Sequence, residues 1–226
     1  MHSNITVGIE HPLRSYSGRT LIKAVFFDYD GVLTTDKTGS ETTTRYISQV
    51  TGLELPVVKA AFSRYNKDLT LGRTTYAQIL PELCSALGQE LSIEILHKAF
   101  ESTPMNSGVF SLALRLKESY LVGIITDNKK DRMEHLKQFQ GLASIFDPIV
   151  VSAELGADKG STEIFLHALR HAGEGAEEAV FIDNNRDNLA APRALGLKTV
   201  FHDDEKNDIG ALLRSLKILG VRAIDT

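Results

Sequence analysis

Apolar positions along the chain follow two patterns. From residue 104 onward, short apolar runs alternate with stretches in which hydrophobic residues recur at helical spacing. The runs Leu121–Ile125, Ile149–Val151, Ala179–Ile182 and Lys198–Phe201 read as buried strands, and an earlier one, Leu21–Phe27, reads the same way. They are rich in β-branched and aromatic residues, as strands covered on both faces require. Helices are expected around Val109–Leu116, Met133–Phe139, Thr162–His171, Asp187–Leu195 and Ile209–Leu219. Strand alternating with helix predicts an α/β fold with a doubly wound parallel sheet.

Residues 36–103 break the alternation. Four helices and no strand are expected there. Ser40 is a candidate cap for a helix over Glu41–Val50 that ends at Gly52, and Pro56 suits the first turn of the next, which Gly72 breaks. A third carries Tyr76, Ile79, Leu83 and Leu87, with Pro81 expected to kink it or shift its start. Ser92 opens the fourth. This block separates the first strand from the alternating remainder of the chain, so it reads as a helical insert over 36–103. The core then comprises 21–35 and 104–226. Residues 1–20 lack a clear period and read as an appendage.

The first strand ends abruptly at Asp28, with Asp30 two residues on and Gly31 next. Two carboxylates leave a buried strand together. Side by side they repel by about 4 kcal/mol at 4 Å and an effective dielectric of 20. A solvated acidic turn is the plain alternative, and the other strand ends decide between the two readings. They carry Thr126, then Lys159 in the loop after the third strand, then Asp183 and Asn184. Ligands of open parallel sheets bind beyond the carboxyl ends of the strands. Acids, a hydroxyl and a lysine gathered there suit a phosphoryl group with a hard divalent cation.

Composition narrows the classes. The 226 residues are 42% hydrophobic and 24% charged, with net charge -4, so no basic face for nucleic acid is expected. The single cysteine, Cys84, excludes an intramolecular disulfide and fits a reducing, cytoplasmic setting; it reads as core packing. No run reaches membrane-spanning length and no membrane partner is expected. His167 and His171 have a metal-like spacing but no further ligand at a fitting distance. His11, His135 and His202 are expected at the surface, and Asp203–Glu205 at an exposed helix start.

The four polar strand ends carry a resemblance. FFDYDGVLT resembles the first motif of the haloacid dehalogenase-like (HAD) superfamily, Thr126 in IITDN its second, Lys159 in ADKGSTEIF its third, and FIDNNRDNLAAPRALGLKTV its fourth. The match spans about 21–202, in order. The helical insert resembles the cap of the phosphoglucomutase and sugar-phosphate phosphatase branch.

The resemblance implies a Rossmann-like core and a magnesium-dependent phosphatase acting on a small phosphorylated metabolite. Asp28 would be the nucleophile that forms an aspartyl-phosphate, and Asp30 the acid and then base. Thr126, the backbone N–H of Asp127, and Lys159 would bind phosphate. Asp28, Asp30, Asp183 and Asn184 would be the metal set. Two departures stand out. Gly160 replaces the proline that often follows the third-motif lysine, and Asn184 stands where relatives place an acid. An amide ligates without charge, so weaker magnesium affinity is implied, with Asp183 compensating directly or through water. A phosphomutase of the β-phosphoglucomutase type shares every motif. A dehalogenase normally lacks an acid at the position of Asp30. A phospho-ligand-binding protein without turnover has only Asn184 in its favour.

Overall fold

The computed structural model describes residues 21–222; the expected appendage at 1–20 lies outside them. Five parallel strands form one sheet: β1 (Ala24–Phe27), β2 (Leu121–Thr126), β3 (Ile149–Val151), β4 (Ala179–Asp183) and β5 (Lys198–Phe201). Their order is β3-β2-β1-β4-β5. The chain fills the sheet in one direction from β1 through β3, then restarts on the other side with β4. The carboxyl ends of β1 and β4 therefore flank the switch point, where a crevice opens. Phe27 pairs with Ile124 on one side and Ile182 on the other, so the neighbouring strands run level with β1 at its end.

Side chains alternate across the sheet. Val25, Phe27, Val122, Ile124, Val180 and Ile182 belong to one core layer. Ala24, Phe26, Ile125, Ala179 and Phe181 belong to the other, with Ile164, Phe165, Ala168 and Leu169 packed on them. Both faces are covered, which is why the strands read as unbroken apolar runs. β1 is shorter than its run suggests: Leu21 is exposed, and pairing begins at Ala24.

Between β1 and β2 lie α1 (Gly39–Thr51), α2 (Leu55–Ser63), α3 (Asn66–Thr70), α4 (Tyr76–Leu87) and α5 (Ile93–Glu101). That makes five helices where the pattern suggested four. Tyr65 bends the chain at φ -104°, ψ -4°, splitting one expected helix into α2 and α3 and turning Leu69 into the core. Thr38, not Ser40, caps α1: its hydroxyl accepts from the backbone N–H of Glu41 at 3.3 Å. Pro81 does not shift the start of α4, because Thr75 and Gln78 form a reciprocal capping box there. The segments entering and leaving the block pair at its base. Thr35 N–H donates to Pro104 O at 2.9 Å, and Asn106 N–H to Leu33 O at 2.9 Å.

After the helical block come α6 (Ser107–Lys117), α7 (Lys130–Phe139), α8 (Ser152–Leu155), α9 (Thr162–Ala172), α10 (Ala190–Leu195) and α11 (Ile209–Ile218). α8 is a single turn directly after β3, too short to leave a period in the sequence. Two further expectations are corrected. His202 is buried, its ring 3.2 Å from the Asn207 amide oxygen, because it follows β5 into the core. Asp203–Glu205 does not start a helix; α11 begins at Ile209, capped by Asp208.

Candidate active site

The turn after β1 sends its two acids in different directions. Asp28 N–H donates to Ile182 O at 2.8 Å, fixing the residue against the end of β4. Its Oδ1 accepts from Tyr29 N–H at 2.7 Å, at the start of a tight turn over Tyr29–Leu33. Inside that turn Gly31 sits at φ +75°, and a Cβ there would overlap the Asn184 carboxamide. Only glycine satisfies both demands.

Asp28 meets a lysine it must share. Lys159 Nζ lies 2.6 Å from Asp28 Oδ2 and 2.7 Å from Asp183 Oδ2. All three groups are almost wholly buried. Burial pushes the Asp28 carboxyl well up from its ordinary value; Lys159 opposes this, and the Asp183 carboxylate adds to it. Burial disfavours the Lys159 ammonium, but Asp28 and Asp183 outweigh it and raise that group. Asp183 is saturated. Its Oδ1 accepts from Asn185 N–H at 2.7 Å, and Asn188 Nδ2 approaches both oxygens at 3.2 and 3.1 Å. Asp127 Oδ1 accepts from Lys159 N–H at 2.9 Å and so ties down the lysine loop.

Asp30 meets an arginine of its own. Arg132 is fully buried on α7. Its NH1 donates to Asp30 Oδ2 at 2.8 Å and its NH2 to Asp30 Oδ1 at 2.9 Å. Asn128 Nδ2 adds a third donor, 2.9 Å from Oδ2. Such a two-point ion pair is among the stronger and more directional contacts a protein makes. Arg132 NH2 also reaches Thr103 Oγ1 at 3.1 Å, at the end of the helical block. Above it, Gly39 opens α1; a Cβ at that position would collide with the guanidinium.

These groups open onto one cavity of about 590 Å³. Asp28, Asp30, Thr126, Asp127, Lys159 and Asn184 all line it. The structure thus brings residues of all four motifs together in one place. Asp183 is not on the wall; it stands behind Lys159. The helical block supplies the opposite contributions, Thr38, Gly39, Ser40, Asn66 and Thr70.

Reading the sequence missed Asn128, Lys129, Arg132 and Asn188. Two of them sit on a buried helical stripe that their own charge masks in the sequence. Lys129, Arg132, Met133 and Leu136 recur at i, i+3, i+4, i+7, the inner stripe of α7, and all four are buried. His171 faces Asp147 at 3.2 Å near the surface.

The site's charge bears on a metal. Two buried carboxylates, Asp28 and Asp183, share one ammonium, and the cluster is short of positive charge. Magnesium takes oxygen donors. Among the described residues no three His, Cys, Asp or Glu side chains group as a metal centre. Oxygen donors facing the cavity include the Asp28 carboxylate, and the Asn184 carboxamide is held over Gly31.

Comparison with known proteins converges on the same region. Residues 22–196 match the family model for haloacid dehalogenase-like hydrolases. Bifunctional epoxide hydrolase 2 of Rattus norvegicus is 25% identical over 224 residues, covering 89% of this chain and 39% of that protein. The chain spans well under half the length of the curated relatives it matches. A HAD-like family hydrolase of Porphyromonas gingivalis superposes with a TM-score of 0.67 at 25% identity, covering 87% of this chain and 98% of that one. A HAD family enzyme of Bacteroides thetaiotaomicron in its magnesium complex gives a TM-score of 0.70 at 21% identity, covering 85% and 98%.

Proposed function

Because the chain belongs to the haloacid dehalogenase-like hydrolase family, we propose that it is a magnesium-dependent phosphatase of small phosphorylated metabolites. One observation carries the reading: Asp28, Thr126 and Lys159 share a cavity at the switch point, with the Lys159 ammonium 2.6 Å from the Asp28 carboxylate. Asp28 Oδ2 attacks phosphorus, and the ester oxygen departs as the aspartyl-phosphate forms. Water then cleaves that intermediate. Lys159 neutralises the phosphoryl oxygens, and Thr126 and the backbone N–H of Asp127 orient them.

Asp30 handles the proton. Arg132 and Asn128 fix its carboxylate, yet Oδ1 accepts only one of these donors. A carboxylate oxygen has two lone pairs, so Oδ1 keeps one; protonated there, Asp30 gives that proton to the departing ester oxygen, and the carboxylate so formed then takes a proton from the attacking water. Asp28 and Asn184, with the Asp30 carbonyl, would hold magnesium, which when bound screens the repulsion between an anionic nucleophile and a phosphate dianion. Asp183 acts from behind by orienting Lys159. The helical block over 36–103 serves as a cap that excludes bulk water, hinged where residues 33–35 pair with 104–106.

The test is release of inorganic phosphate from para-nitrophenyl phosphate by the full chain, with and without magnesium, beside Asp28→Asn. Magnesium-dependent release that Asp28→Asn abolishes supports the reading. No release by the wild-type chain with magnesium overturns it.

A further inference from the structure

A second hollow adjoins the catalytic cavity. It measures about 310 Å³ and lies wholly within the helical block, between α1, α2, α3 and the first residue of α4. Ser40 and Asn66 line both spaces, and Ser40 Oγ donates to Asn66 Oδ1 at 3.3 Å where the two meet. A leaving group that passes this pair enters the hollow.

Its chemistry differs from that of the catalytic cavity. Phe62, Leu69 and Tyr76 are buried and form an apolar floor, with the Phe62 and Tyr76 rings 6.1 Å apart. The wall hydroxyls have no proton to give. Thr44 Oγ1 donates to Ser40 O at 2.7 Å, and Ser63 Oγ to Ala60 O at 3.0 Å. Glu41 and Lys59, both exposed, bring one charge of each sign and so no net preference for an ionic group. A sugar lodged here would leave buried hydroxyls short of partners, at a cost for each. An apolar body instead gains with every methylene removed from water. The volume sits at the lower edge of small-molecule sites, about 300–1,000 Å³, and suits one ring rather than a long chain.

We propose that this hollow receives the body of the leaving group, and that the preferred substrates are phosphate monoesters of alcohols bearing one apolar ring or a compact branched alkyl group. This deepens the phosphatase reading and rests on it for its kinetic arm. It sets the substrate apart from the sugar phosphates that the insert's resemblance suggests.

The kinetic test compares cyclohexylmethyl phosphate with glucose 6-phosphate, in magnesium. Both are primary esters on a six-membered ring, and they differ chiefly in the ring oxygen and hydroxyls. The chains compared are the wild type, Ser63→Trp, which fills the hollow from an exposed position, and Leu69→Asn, which makes its floor polar. Each is read as the ratio of kcat/KM for the two substrates, so a general loss of activity cancels. The wild-type chain is expected to favour the cyclohexyl ester by at least about tenfold, the scale of two buried methylene groups. Both variants should bring the ratio close to one; if Leu69→Asn does not fold, Ser63→Trp decides. A wild-type ratio near or below one, or a preference that survives in Ser63→Trp, overturns the proposal. A binding arm separates this from failure of the phosphatase reading. Cyclohexylmethylphosphonate and methylphosphonate are inert and need no turnover. Calorimetry should show at least about tenfold tighter binding of the cyclohexyl probe to the wild-type chain, and loss of that preference in Ser63→Trp. Equal or undetectable binding of the two probes by the wild-type chain overturns the proposal even if phosphatase activity is found.

Discussion

Asp28 and Asp30 are two residues apart and both buried, yet the fold treats them differently. Asp28 shares a single ammonium with Asp183, and its cluster carries excess negative charge. Asp30 has a guanidinium bound at two points and an amide donor as well. The first arrangement leaves a carboxylate poorly compensated. The second leaves it fixed and locally neutral. Burial alone therefore does not distinguish the two carboxylates; the stoichiometry of nearby charge does. The two clusters also differ in what they connect. Lys159 joins the carboxyl ends of β1 and β4, whereas Arg132 joins the turn after β1 to α7, Thr103 and the start of α1.

The largest expected effect comes from the undercompensated side. Asp28→Asn should lower phosphate release by at least about 10³-fold, since removing a nucleophile removes the covalent step. Its melting temperature should match or exceed that of the wild-type chain. The substitution sheds a charge that burial disfavours, and Lys159 keeps Asp183 as its partner. A marked loss of stability in Asp28→Asn would break the contrast, because it would mean that the fold depends on the Asp28 charge as it does on that of Asp30.

The Asp30 cluster should behave in the opposite sense. Arg132→Met leaves Asp30 buried with one amide donor, and stripping one partner from a buried ion pair costs about 3–5 kcal/mol. Urea unfolding of the metal-free chain measures it. Adding Asp30→Asn to Arg132→Met should recover part of the loss, since the stranded charge is then gone. Additive losses in the double variant would show that Arg132 acts through packing and not through Asp30.

Much of this is legible in the sequence alone. A buried strand that ends in a carboxylate is visible because the apolar run stops so sharply, and Asp28, Thr126 and Asp183 each follow such a run. Lys159 follows no run directly and is identified through the motif order. The Arg132 cluster stays hidden for a physical reason. A buried cation counts as polar in any hydrophobic pattern, so α7 looks like a helix with a surface Lys129–Lys130 pair. Its inner stripe holds Lys129 and Arg132 beside Met133 and Leu136, and only the partners across space make that tolerable. The split between α2 and α3 is hidden because Tyr65 bends the chain without a glycine or proline.

The divergence of the two acids depends on the turn between them. Gly31→Ala should destabilise the chain by about 1–3 kcal/mol, from the left-handed backbone and the displaced Asn184 carboxamide. It should also raise the magnesium concentration needed for half-maximal turnover, since Asn184 moves. Stability loss without any change in magnesium response would separate the turn from the metal site.

The smallest effect sharpens the comparison most. If the Asp28 cluster is short of positive charge and Asn184 gives the ion an uncharged oxygen, Asn184→Asp should tighten magnesium binding. One added carboxylate at a partly buried position is worth on the order of 1 kcal/mol, or several-fold in half-saturation. Two readouts check it: the magnesium dependence of turnover, and the magnesium-induced rise in melting temperature, which needs no substrate. The same substitution should lower metal-free stability, because it adds a third carboxylate beside Asp28 and Asp183 with still only one ammonium among them. Both signs follow from the same charge count, so a tighter ion without the metal-free penalty would mean that Lys159 is not the cluster's sole compensation. An unchanged magnesium response would remove Asn184 from the ligand set and return Asp183 to it, despite the four contacts that now occupy its oxygens.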